Sequence, residues 1–455
     1  MLDKKILDMK DEILEAVRQS IMIRSVESEK KEGAPFGEGV QKALEHALKL
    51  ADDMGFRTVS LDNMIGYAEY GSGEEMIAVL GHLDVVPEGD GWTYPPFAAE
   101  IHENRIYGRG ILDDKGPTIG ALFALKAIKV MGIPLSKRVR IIFGTNEERG
   151  SKGIKYYVER DEMPVAGFTP DAQYPIINAE KGIFTCTLIK PLSKQGKLRL
   201  TRISGGTAPN VVPSYAEASI ETGQEQKNKI KEILKNIDFI EFQDNESLIL
   251  KSHGISAHGS TPELGRNAIT QLVEFLNMLD FAGDVKQLFE FITTYIDKET
   301  DGKNLGINLK DEVSGKLTLN IGTIQGDHTK VSLELNIRYP VTTTIDDFIN
   351  KLEWYTRKFG IQISNIRHKK PLYVEPNTDL IKKLQKVYFE KTGDEPELIA
   401  IGGGTYAKSM DNIVAFGPLF KGELDLTHQP DEYMTIDSLI KNIQIIAAAI
   451  HELAK

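Results

Sequence analysis

Apolar residues recur along this chain with two alternating periods. Ile6, Met9, Ile13, Val17 and Ile21 stand at helical spacing, as do Val40, Leu44, Ala47, Leu48 and Ala51, and Gly55 ends the second run as a C-terminal cap. Short apolar runs follow at Arg57–Leu61, Ile65–Tyr70, Met76–Leu80, Arg138–Gly144 and Ala166–Thr169. They are too short for helices and read as strands, Met76–Leu80 and Arg138–Gly144 as buried ones. Between those two, Pro117 sits in the first turn of a helix whose apolar face includes Ile119, Leu122, Phe123, Leu125, Ala127 and Ile128. Repetition of strand, loop and helix predicts an α/β sheet.

After about residue 183 the pattern changes to alternating strands, at Phe184–Ile189, Leu198–Ser204, Ala216–Glu221, Lys316–Ile324 and Lys330–Tyr339. Helical stretches lie at 227–236, 263–280 and near 345–359. Strand and helix units occur twice, at 184–290 and 310–382, which predicts an inserted domain of two α+β halves. The α/β pattern then resumes with a helix at Leu380–Lys391, a strand at Leu398–Ile401 and a C-terminal helix at Asp437–Leu453. The expected organisation is a catalytic domain in two pieces, 1–183 and 383–455, interrupted by a lid domain at 184–382.

Composition narrows the function. The 455 residues are 41% hydrophobic and 27% charged, an ordinary soluble balance with ample material for two or three domains. A net charge of -11 argues against nucleic acid as a partner, because phosphate binding needs a basic face. No apolar run approaches the ~20 residues that cross a bilayer, so no membrane association is expected. Cys186 is the single cysteine, which excludes an internal disulfide or a cysteine-based zinc site and suits a reducing cytoplasm. The N-terminus has no apolar signal region.

The candidate chemistry sits where strands end. His82 closes the run from Met76, and Asp84, two residues on, is placed to hold its other ring nitrogen. Alone, the pair is weak evidence, and a loop histidine beside a carboxylate is the commoner reading of it. Asp113-Asp114 precede a helix, where the dipole favours one acid well and two less well. Glu147-Glu148 follow the strand Arg138–Gly144, and adjacent glutamates there are costly unless something positive lies between them. Asp171 follows Ala166–Thr169. His82, Asp114, Glu148 and Asp171 therefore lie at the ends of four successive elements, as expected of a metal site on the carboxyl edge of a sheet. His428, in Leu426-Thr427-His428-Gln429-Pro430, is the last candidate ligand. Gly402-Gly403-Gly404-Thr405 before a helical segment suits an anion, but no Gly-Lys-Ser/Thr closes a phosphate loop.

Together, Gly-His-Leu-Asp-Val-Val-Pro at 81–87, Gly-Arg-Gly-x-x-Asp-Asp-Lys-Gly at 108–116, Asn-Glu-Glu-x-Gly-Ser at 146–151, Asp171 and His428 resemble the co-catalytic zinc peptidases. That family includes acetylornithine deacetylase, succinyl-diaminopimelate desuccinylase, carboxypeptidase G and carnosinase, and the likeness is nearest to bacterial dipeptidases of the PepV type. The resemblance implies a mixed-sheet sandwich catalytic domain of the zinc aminopeptidase/phosphorylase-like kind. It implies that His82 and Asp171 bind one metal, that Glu148 and His428 bind another, and that Asp114 bridges them through a cis peptide from Asp113. Glu147 would be the general base and Asp84 would orient His82. In the insertion, Asn210, His258 and Arg338 would face the substrate, and Gly403, Gly404 and Thr405 would meet its terminal carboxylate. Read by themselves, His258 is a loop histidine, Arg338 equally a strand-edge charge, and Asn210 a turn residue.

Two divalent cations held by imidazoles and carboxylates would acidify a shared water and polarise a scissile carbonyl. The ligand types suit zinc, and also manganese or cobalt. The long insertion implies that its second half replaces a partner subunit, so that His258 acts within its own chain and a monomer suffices. A capped cleft that grips a C-terminal carboxylate favours a dipeptide substrate. The alternative is an N-acyl amino-acid deacylase, which shares every metal ligand.

Overall fold

The computed structural model describes all residues except Lys194, Asn236, Asp297 and Lys298. The chain forms two compact units. The first comprises Met1–Asn178, Val374–Ile399 and Gly404–Lys455, and the second Ala179–Tyr373 and Ala400–Gly403. The boundaries expected at 183/184 and 382/383 fall earlier, at 178/179 and 373/374. The helix Asp379–Thr392 packs on the C-terminal helix Ile436–Ala454 and so belongs whole to the first unit.

The first unit is built on a mixed sheet. Its order runs Arg57–Leu61, Ile65–Tyr70, Arg138–Gly144, Met76–His82, Ala166–Thr169 and Ile413–Ala415, followed by the first residues of Ile176–Glu180, a strand that spans the unit boundary at 178/179. The four strands from Arg138–Gly144 to Ile413–Ala415 are mutually parallel, and the flanking pairings are antiparallel. Met76–His82 is buried at every position. Parallel strands covered on both faces read as continuous apolar runs, which is why this one shows no alternation. The helix Lys115–Val130 lies against it and is buried on nearly all sides, packing also on Ile436–Ala454. No helix among the described residues is long and apolar enough to cross a membrane.

The second unit is one antiparallel sheet of eight strands, in the order Ile240–Asp244, Leu248–His253, Tyr215–Glu221, Arg199–Gly205, Thr318–Asp327, Lys330–Tyr339, Gly182–Pro191 and Gln362–Lys369. The two α+β halves expected from the pattern therefore share a single sheet. Gly182–Pro191 from the first half pairs on both sides with strands of the second, and Arg199–Gly205 pairs with Thr318–Asp327. One core joins them, drawing Leu188, Ile203, Ile220, Leu250, Leu272, Phe289, Leu335 and Leu352 from both halves.

Candidate metal centre

Three parallel strands of the first unit end side by side, and each hands over acid or imidazole groups. In register His82 is level with Gly144, after which the chain turns through Thr145 and Asn146 to Glu147 and Glu148. Ala166–Thr169 runs alongside and leads to Asp171. The carboxyl ends of parallel strands are where an open α/β sheet leaves a crevice.

His82 is buried, and its Nδ1 lies 2.9 Å from the main-chain carbonyl of Asp84. A proton on Nδ1 donated to that carbonyl turns Nε2 toward the acids; burial opposes a charged ring, but hydrogen bonds to Asp113 and Asp171 raise its pKa well above the usual imidazole value. Asp84 thus holds His82 through its backbone. Its carboxylate, 3.6 Å from Nδ1, accepts instead from the N–H groups of Glu147 and Glu148, at 3.1 Å each. The predicted orienting residue therefore also fixes the turn that carries both glutamates.

The carboxylate between the two histidines belongs to Asp113. Its Oδ1 is 2.9 Å from His82 Nε2 and its Oδ2 is 3.0 Å from His428 Nε2. Asp171 Oδ1 lies 3.8 Å from His82 Nε2, and Glu148 Oε2 lies 3.3 Å from His428 Nε2. Two potential ligand groups result, His82–Asp113–Asp171 and Asp113–Glu148–His428, each with its donor atoms within 4.8 Å of one another. Asp114, the expected bridge, is in neither group. Its Oδ2 accepts from the His82 N–H at 3.1 Å and from the Thr118 hydroxyl at 2.9 Å. The peptide between Asp113 and Asp114 is cis, as expected. Gly81 makes the approach possible, since a Cβ there would stand 2.0 Å from Thr118 Oγ1 and 2.7 Å from Asp114 Oδ2.

The electrostatics fit divalent cations. Burial and then the Asp113 charge push Asp171 up to about 7, and the same two causes raise Glu148. Burial also opposes ionisation of Asp113, but hydrogen bonds from His428 and His82 hold it well below the carboxylate range. Glu148 Oε1 is buried with no hydrogen-bond partner. Carboxylates crowded this closely call for positive charge among them, and the mix of imidazole and carboxylate donors suits zinc, manganese or cobalt. Glu147 belongs to neither ligand group and is half-buried beside them. Tyr406 walls the site, its ring edge-on to His82 with centroids 5.9 Å apart.

Two further residues of this centre carry little sequence signal. Glu432 is wholly buried, and its Oε1 accepts from the N–H groups of Gly110 and Leu112 at 3.1 and 2.9 Å while Oε2 pairs with buried Arg109 at 2.6 Å. This carboxylate holds the loop that delivers Asp113. Lys115, also buried, donates from Nζ to the carbonyls of Ser20 and Ile23. Glu432 lies in a polar loop, and only its place four residues after His428 pointed to it.

The predicted substrate residues Asn210, His258 and Arg338 all lie in the second unit, where they gather. Arg338 is 5% exposed, with Nε donating to Asn336 Oδ1 at 2.8 Å and one terminal nitrogen to the Gly402 carbonyl at 3.0 Å. Burial lowers its pKa to about 10, and no carboxylate pairs with it among the described residues. His258 is exposed, its Nδ1 2.6 Å from Ser260 Oγ. Desolvation and then the Arg338 charge lower its pKa, so the ring is neutral at pH 7. Asn210 sits on the neighbouring loop, where its carbonyl accepts from the Gly259 N–H at 2.7 Å and Val211 bridges to His258. Asn320 fixes that loop by donating to the carbonyls of Pro209 and Val211. Gly403 belongs to the second unit, Gly404 and Thr405 to the first. The Thr405 hydroxyl caps the short helix Tyr406–Ser409 by accepting from the Ala407 N–H.

A parallel-stranded catalytic sheet with two histidine–carboxylate groups at its carboxyl edge defines a metal-dependent hydrolase. Residues 78–452 match the model of peptidase family M20/M25/M40, and the chain belongs to that family. It is 42% identical over 464 residues to the Bacillus subtilis protein named "Putative dipeptidase YtjP", covering 99% of both chains. A Staphylococcus epidermidis protein, also named as a dipeptidase, is 35% identical over 465 residues, covering 100% of this chain and 99% of its own. Among solved structures, the dipeptidase Dug1p of Saccharomyces cerevisiae aligns with a TM-score of 0.60 at 15% identity, over 99% of this chain and 97% of its own. That likeness extends the shared fold to both units.

Proposed function

We propose that the protein is a dipeptidase of the PepV type, hydrolysing short peptides that end in a free carboxylate. The observation that carries this reading is the Asp113 carboxylate shared by two histidine-containing groups, with Glu147 left outside both. Asp113 takes the bridging role first expected of Asp114. His82, Asp171 and Asp113 would hold one divalent cation, and Glu148, His428 and Asp113 the other. When bound, the cations supply Lewis acidity to the carbonyl and lower the pKa of water at the site.

The rest of the chemistry belongs to the chain. Glu147 takes the attacking water's proton and passes it to the leaving amine. Asp84 keeps Glu147 in place through its N–H and keeps the His82 tautomer through its own carbonyl. Arg338, its guanidinium aimed by Asn336 and the Gly402 carbonyl, grips the substrate's carboxylate. Gly403, Gly404 and Thr405 meet the same carboxylate, Asn210 lies against the substrate, and His258 donates to the oxyanion. The names of relatives 42% and 35% identical over nearly the whole length support a dipeptide as substrate.

The test compares an unmodified dipeptide such as Ala-Ala with N-acetyl-alanine, using metal-loaded protein. Faster release of alanine from the dipeptide is the expected result. Cleavage of the N-acetyl compound alone would make the protein an N-acyl amino-acid deacylase. One chain suffices in this reading, so light scattering of the active protein should give the monomer mass.

A further inference from the structure

A cavity of about 650 Å³ lies within the second unit, beside Arg338. Gly402, whose carbonyl accepts from Arg338, and Ser260, which meets His258, are part of its wall. Thr318 also lines it and stands directly opposite Arg338 in the sheet register, so the two side chains leave the same face.

The cavity's rim and floor differ. At the rim, Glu263, Glu299, Lys303 and Lys316 are exposed. Opposite charges mixed in water are screened and discriminate weakly. The floor is buried and made by Lys181, Leu317 and Thr318. The Lys181 ammonium donates to the carbonyl of Lys316 and is steered there. The Thr318 hydroxyl is buried with no hydrogen-bond partner. A buried hydroxyl left unmatched costs free energy that a bound ligand's polar group recovers. Half-buried Asp301 lies between rim and floor. The floor thus offers an ammonium, toward which Glu263 and Asp311 direct negative charge, and an unmatched hydroxyl.

We propose that this cavity receives the side chain of the substrate's C-terminal residue and selects side chains ending in a carboxylate or carboxamide, with Lys181 and Thr318 determining the choice. The inference rests on the reading of Arg338 as the carboxylate grip, because a side chain attached next to a gripped carboxylate reaches the space beside it. A site built to hydrogen-bond a substrate group rejects the analogue that lacks it, since its own buried groups are then unmatched.

The experiment measures kcat/KM of the metal-loaded protein for Ala-Glu, Ala-Gln, Ala-Leu and Ala-Lys. Ala-Glu and Ala-Gln should exceed Ala-Leu by about tenfold or more. In Lys181→Met the Ala-Glu to Ala-Leu ratio should fall by a similar factor, and the isosteric Thr318→Val should lower it without depending on how the lysine variant folds. Wild-type protein that cleaves Ala-Leu as well as Ala-Glu overturns the inference, as does an unchanged ratio in Thr318→Val. If only N-acetyl compounds are cleaved, the dipeptidase reading fails, and N-acetyl-Glu against N-acetyl-Leu then decides this inference separately, because both present the same carboxylate and side chain.

Discussion

Asp113 reaches His82 with one carboxylate oxygen, at 2.9 Å, and His428 with the other, at 3.0 Å. These histidines are 346 positions apart in the chain, 428 less 82. A single side chain therefore links the strand that begins the site to the loop that completes it, and its neighbour Asp114 does different work.

The contrast between the two aspartates is testable. Asp113→Asn should reduce bound metal below two ions per chain, measured by elemental analysis, and abolish hydrolysis. Asp114→Asn removes charge from a group that orients the His82 backbone and Thr118. It should keep both ions at saturating metal and weaken their affinity by about 10- to 100-fold. Equal loss of metal in both variants would show that the two carboxylates share the bridging role.

Glu432 and Arg109 form a buried pair, 0% and 1% exposed, with the Arg109 guanidinium carbon 5.1 Å from the centre of the Trp92 ring. Breaking such a pair from one side strands a charge. Glu432→Gln should lower unfolding free energy by about 3–5 kcal/mol, read from urea midpoints, and should loosen the loop that carries Asp113. Pairing it with Arg109→Met should recover part of the loss. No recovery would mean that the hydrogen bonds to Gly110 and Leu112 matter more than the charge.

Gly81 stands where the strand Met76–His82 meets the helix Lys115–Val130. Gly81→Ala places a methyl group 2.0 Å from Thr118 Oγ1 and 2.7 Å from Asp114 Oδ2. Both neighbours are buried and hydrogen-bonded to each other, so they cannot give way freely. Overpacking of this kind costs about 1–3 kcal/mol. Metal affinity should fall along with the urea midpoint, because Asp114 also holds the His82 N–H. The companion Thr118→Ser, Gly81→Ala double variant does not remove the clashing oxygen and should give no relief.

Most of this architecture was legible where burial forces a pattern. Met76–His82 and Arg138–Gly144 are covered on both faces and announce themselves as apolar runs, and helices such as Ile436–Ala454 bury one face and show its period. The strands Ile240–Asp244 and Gln362–Lys369 went unseen because they edge the second sheet with mostly exposed residues, leaving no alternation to read. The sharing of one sheet by both halves of the insertion was hidden for another reason. Pairing of Gly182–Pro191 with strands far later in the chain, as Gly182 with Tyr339, is a long-range choice that local periodicity does not encode.

The site divides along the same line. Residue types near strand ends pointed to His82, Glu148 and Asp171, since His82 closes its strand and the two acids come within four residues after theirs. Choosing between Asp113 and Asp114 required side-chain direction across a cis peptide, which spacing alone does not supply. Thr318 and Lys181 were missed because each is a single polar residue inside a strand or at its end, and what distinguishes them is the cavity they share.

Glu147 and Glu148 are adjacent, and their expected responses to the same substitution differ. The Asp84 carboxylate accepts both N–H groups, so the turn is fixed by backbone contacts that a change of side chain leaves in place. Glu148→Gln replaces a carboxylate oxygen 3.3 Å from His428 and should cost metal as well as activity. Glu147→Gln touches neither ligand group and should leave the metal content of the protein at its wild-type value. A carboxamide cannot accept the attacking water's proton, so hydrolysis should nevertheless fall by about 10²- to 10⁴-fold. KM should change little if the group acts on the proton alone, and the loss should appear in kcat. Hydrolysis retained in Glu147→Gln would remove the general base from this account. Loss of metal in the same variant would instead place Glu147 among the ligands.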